Sequence, residues 1–237
     1  MERTVDYRSL RRTARTAGVL MLLMSVIAPF GMVFVPQSVT VPGDATATAA
    51  RIAASGTQLR LAIAGDSAVL LIEVFLVVLV YLLFAPAGRT LSMVGAVARL
   101  AMTIVQALNI LTLLFVLHLA GNAPEAALLA GGRREALMLL AMNGHNWIEL
   151  VWTLFFALHL TVTGYLAWRS GYIPKWVGGA LLLTAACYWV QGYGKILWPQ
   201  HADLFTAIGY FAIIELVFIF WLVIRGVREP PASDAPA

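Results

Sequence analysis

Charge is what this sequence has least of. Only 12% of its 237 residues are Asp, Glu, Lys or Arg, while 61% are hydrophobic; a soluble domain carries roughly a quarter charged residues. A soluble chain of this length has too little interior to bury so much apolar surface. A polytopic membrane protein is the class that remains, all-α with both termini cytoplasmic. Cysteine is nearly absent too. Cys187 stands alone in an apolar run, which excludes a disulfide framework and a cysteine-based metal motif. No basic patch interleaved with aromatics accompanies the net charge of +4, so nucleic acid is not an expected partner. An internal repeat of useful strength is also missing, which weighs against an inverted-repeat transporter.

What is present is a set of six long apolar stretches. They cover 17–36, 57–84, 91–119, 147–169, 176–198 and 203–225, each near the twenty or so helical residues that cross hydrocarbon. The first follows "RSLRRTART", but its apolar run is longer than a signal peptide's and lacks a convincing cleavage site, so it reads as a retained span. The organisation expected is a basic cytoplasmic N-terminus over 1–16, a single six-span membrane domain over 17–228, and a disordered tail over 229–237. Arg3, Arg8, Arg11, Arg12, Arg15, Arg89, Arg169, Lys175, Arg225 and Arg228 fall on one side of such a bundle. The other side has Arg51, Arg60, Arg133 and Arg134. The positive-inside rule then makes both termini cytoplasmic. Trp147 and Trp198 would mark the outer interface, and Trp168, Trp176 and Trp221 the inner one.

Two outer connections carry helix signals. Asp44 suits an N-cap for a short helix over 45–54. In "NAPEAALLAGGRREALMLLAMNG", Pro124 and Glu125 suit a first turn and Asn143-Gly144 a helix end. Both read as interfacial helices, with a lid over a cavity as the alternative.

Polar groups inside the spans locate the candidate site. Asp66 and Glu73 are seven residues apart, so a helix puts them on one face about 10 Å apart in depth. Charges in a span usually face the bundle interior or water. The next span carries Arg99, Gln106 and Asn109. Folding the hairpin about residue 87 or 88 sets Asp66 level with Asn109 and brings Glu73 within about one turn of Arg99. A structural lock on the hairpin accounts for part of this pattern. It does not account for Glu149 and His159 in the fourth span, Tyr188, Gln191 and Lys195 on one face of the fifth, or Glu215 in the sixth. Four acids (Asp66, Glu73, Glu149, Glu215) face two cations (Arg99, Lys195), so two carboxylates must be protonated or meet water. The simplest arrangement is a polar funnel open to the outside and narrowing onto Glu73, Arg99, His159 and Glu215.

Other motifs carry less. His118 and His145, with Glu149, form a candidate metal site or, as a His pair, a haem site; "HNWIE" lacks the second His of HExxH. No cofactor is therefore expected, with a metal or haem as the alternative. Ser67 in "GDS" lacks the nucleophile elbow of a serine hydrolase. Gly178, Gly179, Gly192 and Gly194 permit close helix contacts, within one chain or between copies in an oligomer.

With the fourth span and the turn after it in view, the chain resembles a known family over nearly its whole length. "FALHLTVTGYLAWRSGYIPKWVGGALLL", "TARTAGVLMLL", "VPGDATATAARIAAS", "LRLAIAGDSAVLL", "LSMVGAVARLAMTIVQALNIL" and "IIELVFIFWLVIRGV" together resemble the bacterial membrane proteins grouped as domain of unknown function 4386. The likeness covers about residues 13 to 228. On its pattern Asp66, Arg99, Asn109, His145 and Glu215 fall on polar positions, while "GHNWIEL" departs from it and makes Glu149 a feature of this chain. The resemblance implies a multi-pass protein of a bacterial cytoplasmic membrane and implies no activity. Three readings follow, with lipids as partners in each. The first is a module that binds or transports a small polar or amphiphilic molecule. The second is a membrane-embedded metal-dependent hydrolase or redox protein. The third is a partner or sensor protein whose buried charges specify assembly.

Overall fold

The computed structural model describes residues 6–121, 129 and 131–229, and among them every regular element is helical. The helices are α1 (Tyr7–Pro29), α2 (Val35–Val39), α3 (Ala45–Ala54), α4 (Gly56–Phe84), α5 (Arg89–Ala120), α6 (Arg133–Arg169), α7 (Lys175–Leu197), α8 (Ala202–Gly209) and α9 (Glu215–Ile224). A π-helical turn, Phe30–Phe34, joins α1 to α2, so helix runs from Tyr7 to Val39. Among the described residues four helical stretches are long and apolar enough to cross a membrane: Tyr7–Val39, α4, α5 and α6. Six comparable spans were expected. The fifth stretch forms α7, where Gly178, Gly179, Gln191, Gly192, Gly194 and Lys195 dilute its hydropathy. The sixth is broken by a 3-10 segment, Tyr210–Ile214, between α8 and α9. Large apolar side chains such as Val26, Leu71, Phe75 and Ile213 lie on the outside, a surface suited to lipid and costly in water.

Local chemistry sets the element ends. Asp44 accepts from the Ala47 N–H at 2.8 Å and starts α3, as the sequence predicts. Pro86 follows the end of α4, Gly171 takes the positive φ that turns the chain after α6, and Pro174 precedes α7. The expected helix end at Asn143-Gly144 is absent, because α6 runs through both residues. Continuity places Met138, Met142 and His145 on one buried face at spacings of four and three, and Gly144 meets nothing that would force a break. Pro124 and Glu125, and the expected disordered tail beyond Glu229, lie outside the described residues.

The chain forms two compact units. The first comprises Met1–Leu23, Ile72–Thr103 and Val151–Ala237. In it the first half of α1 meets the end of α9 and the residues after it: Arg11 donates to the Val227 carbonyl at 3.1 Å and Arg15 to the Ile224 carbonyl at 3.5 Å. Gly18 packs against Leu222 and Val223, and Phe84 stacks on Phe218. Tyr172, in the turn between α6 and α7, donates to the Leu83 carbonyl at 2.7 Å. Burial, aided by Tyr7, pushes the Tyr172 phenol above its ordinary value. An unfolded tyrosine ionises near pH 10 while the folded one stays neutral, so this contribution is whole below about pH 10 and shrinks as pH rises past it. Tyr172→Phe is expected to lower stability by about 1–3 kcal/mol, since the Leu83 carbonyl loses its donor. The gap between the thermal midpoints of wild type and variant should narrow above about pH 10.

The second unit comprises Met24–Leu71 and Ile104–Leu150. Its core is an apolar plug: Val35, Val39, Ile52, Leu59, Ala62, Leu113, Val116, Leu119, Met138 and Met142. Ile52 ties α3 into this plug. Arg134 reaches back to the Leu119 and Gly121 carbonyls and satisfies the end of α5.

Candidate functional site

Each unit holds one buried polar cluster, and the two differ in how well they are satisfied. In the first unit the short turn after α4 returns the chain as α5, and Ser92 donates to the Tyr81 carbonyl at 2.8 Å. Further along the same pair, Arg99 meets Glu73 in a two-pronged contact: Nε to Oε2 at 2.6 Å and Nη2 to Oε1 at 3.0 Å. The third nitrogen, Nη1, lies 3.0 Å from Nε2 of His159. The other ring nitrogen of His159 is 2.9 Å from the Gly95 carbonyl. A neutral ring that donates through Nδ1 to Gly95 and accepts through Nε2 from Arg99 gives both ring nitrogens a partner. Glu215, half-buried in α9, lies in the field of both Arg99 and Glu73. Phe156 stacks on His159 and meets Tyr188 edge-on, so an aromatic wall flanks the cluster. Three helices are tied together here, with each of the three Arg99 nitrogens engaged in at least one contact.

The rest of the first unit spreads its polar groups. Gln191 packs against Gly209, and its Oε1 has no hydrogen-bond partner. Lys195 sits in the last turn of α7, where a cation complements the terminal carbonyls. The four glycines of α7 all make contacts within the chain. Gly178 lies on the Gly164 and Trp168 backbone, Gly179 on the Trp168 ring, Gly192 on Leu154 and Gly194 on Phe205.

The second unit builds its cluster one helical turn below the apolar plug. Along each element the plug gives way to a polar group or bare backbone three or four residues on. Ala62 leads to Asp66, Leu113 to Asn109, Met142 to His145, and Val35 to Gly31 and Met32 in the π turn. Pro29 and Pro36 bracket that turn. Pro36 removes the N–H that the Met32 carbonyl would use in an α-helix, and Val35 bonds back five residues to Phe30. The His145 ring takes up the backbone at Met32. It also lies 3.4 Å from Asn109 Nδ2 and 3.3 Å from Thr112 Oγ1. Gly31 lies so close to the Asp66 carboxylate that a Cβ there would collide with it.

Asp66 is 1% exposed and neither carboxylate oxygen has a hydrogen-bond partner. Gln106, one turn from Asn109, is 3% exposed, with both its amide oxygen and nitrogen unpartnered. A buried polar atom left unpaired costs on the order of 1–3 kcal/mol, and a charged one more, so such groups in one layer call for an explanation. Glu149 is half-buried a turn beyond His145 and has a contact of its own. Asp66, Asn109 and His145 are each 1% exposed. These three side chains are therefore buried in the second unit rather than exposed.

His118 lies elsewhere, on an exposed groove with Arg60, Leu114, Phe115, Leu117 and Gly121. His145 is level with Asn109, so the two rings differ in depth by about nine residues of α5, roughly 13 Å. Among the described residues no three His, Cys, Asp or Glu side chains gather as a metal site requires. Ser67 is turned back on its own helix, donating to the Ile63 carbonyl at 2.7 Å. Gly31, Met32 and Thr112 were not singled out from the sequence; the pair of prolines around "FGMVFV" was the available signal for the π turn.

Comparison with known proteins places this geometry in a wider group. The pattern of a family described as Domain of unknown function (DUF4386) matches residues 16–226. An uncharacterized protein of Archaeoglobus fulgidus is 26% identical over 175 residues, covering 73% of this chain and 89% of that protein. No solved structure matches.

Proposed function

The chain belongs to the DUF4386 family, and we propose that it is a six-span protein of a bacterial-type cytoplasmic membrane that binds, and in turn carries, a small polar or amphiphilic molecule. The polar layer of Asp66, Gln106, Asn109 and His145 is the binding point. The single observation behind this reading is the buried Asp66 carboxylate with no partner, set against a Glu73 carboxylate that is fully paired. The Glu73–Arg99–His159 cluster serves as the lock between α4, α5 and α6.

Two further observations support the topology. The first half of α1 and the residues after α9 meet through Arg11 and Val227, as an even number of crossings requires. The basic residues gathered there favour the cytoplasmic side. The burial of Asp66, Asn109 and His145 supports a closed form of the layer, with access on this reading needing the plug to move. Such motion belongs to the microsecond-to-millisecond range of element shifts.

Asp66→Asn keeps the shape of the side chain while removing its charge. The variant is expected to fold with a thermal midpoint equal to or above that of wild type, because it relieves an unpaired buried carboxylate. In native mass spectrometry of both proteins purified from the same membranes, wild type should carry a small-molecule adduct that Asp66→Asn lacks. Identical spectra for the two would overturn the reading.

A further inference from the structure

We propose that the second unit's polar layer takes a monovalent cation, held on the Asp66 carboxylate. This deepens the functional reading above and rests on it. The first argument is charge. Every cationic side chain of this unit is engaged away from the layer. Arg51, Arg60 and Arg133 are exposed, and Arg134 caps the end of α5. The Glu73 carboxylate of the first unit has Arg99 for a counter-charge, whereas among the described residues Asp66 has no cation beside it.

The second argument is the donor set. The unpartnered side-chain atoms of the layer are the two Asp66 carboxylate oxygens and the amide oxygen and nitrogen of Gln106, so oxygen donors predominate. Oxygen donors without thiolate or a set of imidazoles suit hard cations. A divalent ion of that kind is usually held by several carboxylates, while one buried carboxylate balances one positive charge. The third argument is the bare flank of the carboxylate: Gly31 packs its backbone directly against Asp66, where even a Cβ would collide, so no side chain shields it there. The shared chemistry fits a sodium ion or the ammonium head of an amine.

The test uses the full-length protein in mild detergent, with thermal unfolding followed by tryptophan fluorescence. Choline chloride provides constant ionic strength and is replaced stepwise by sodium chloride or by methylammonium chloride. A cation that binds the folded state raises the midpoint with the logarithm of its concentration. The expected result is such a rise for one of the two probes, with an apparent affinity weakened about tenfold or more in Asp66→Asn. Sodium alone would identify an inorganic ion, and methylammonium alone the amine of an organic substrate. Asp203→Asn, which removes an exposed acid of α8, should behave as wild type. If Asp66→Asn does not purify, Asp66→Ser removes the same charge with a smaller side chain. No rise with either probe, or a rise that persists without Asp66, overturns the proposal. A missing rise together with an adduct that still depends on Asp66 would overturn the cation while leaving the binding function in place.

Discussion

Arg99→Leu is expected to destabilise the protein by about 3–5 kcal/mol, the cost of stranding one member of a buried ion pair. The pair is almost fully excluded from solvent, at 3% and 6% side-chain exposure, so water cannot compensate the Glu73 carboxylate. His159 loses its donor in the same step. The effect should appear as a large fall in the thermal midpoint, or in half-life at fixed temperature in mild detergent. Replacing Glu73 and Arg99 together by leucine removes both charges, and the double variant should recover most of the loss. A double variant as unstable as Arg99→Leu would mean that the cluster does more than tie helices together.

Gly178→Val ranks second, and its cause is steric. A Cβ at Gly178 would sit 2.6 Å from the Trp168 amide nitrogen and 2.9 Å from the Gly164 carbonyl oxygen. These are backbone atoms of a neighbouring helix and cannot rotate away, so α6 and α7 must separate. Close packing at small residues is a main source of helix association in lipid, and the loss should reach about 3 kcal/mol, the upper end of overpacking costs. Gly179→Ala is the control. Its Cβ would meet the edge of the Trp168 ring at 3.1 Å, a side chain able to shift, and the midpoint should move little. Equal effects at the two positions would contradict the packing described.

Composition made the membrane class legible because hydrocarbon accepts so few charges. The Glu73–Arg99 contact was legible because a short turn fixes the register of an antiparallel hairpin within about one turn of helix. His159 was grouped with that pair by depth, but its hydrogen bond to Arg99 was not legible, since nothing in one sequence says which helix lies beside the hairpin. The same gap hid the contacts of the layer around Asp66, although Asp66 was set level with Asn109. Asn109 and His145 were singled out as separate polar residues, but their meeting at Met32 depends on a π turn. The two prolines mark a disturbed helix without stating its form. Asn143-Gly144 shows the opposite error: a strong local stop signal was overridden by the gain from keeping Met138, Met142 and His145 on one buried face. The sixth stretch shows that apolar length alone does not secure a continuous helix, since Tyr210–Ile214 tightens into 3-10 geometry.

The π turn at Phe30–Phe34 also fixes a phase. Each residue of an α-helix turns the chain by 100°, and a π turn holds one residue more than its α-helical equivalent. That additional residue decides which side of the helix Val35 and Val39 occupy after the turn. Letting the same residues relax to α-helix with none removed would swing everything beyond the turn by about a quarter of a revolution. Val35 and Val39 would leave the plug, and the bare backbone at Gly31 would no longer face Asp66. One residue of helical phase thus couples the cover of the polar layer to its floor.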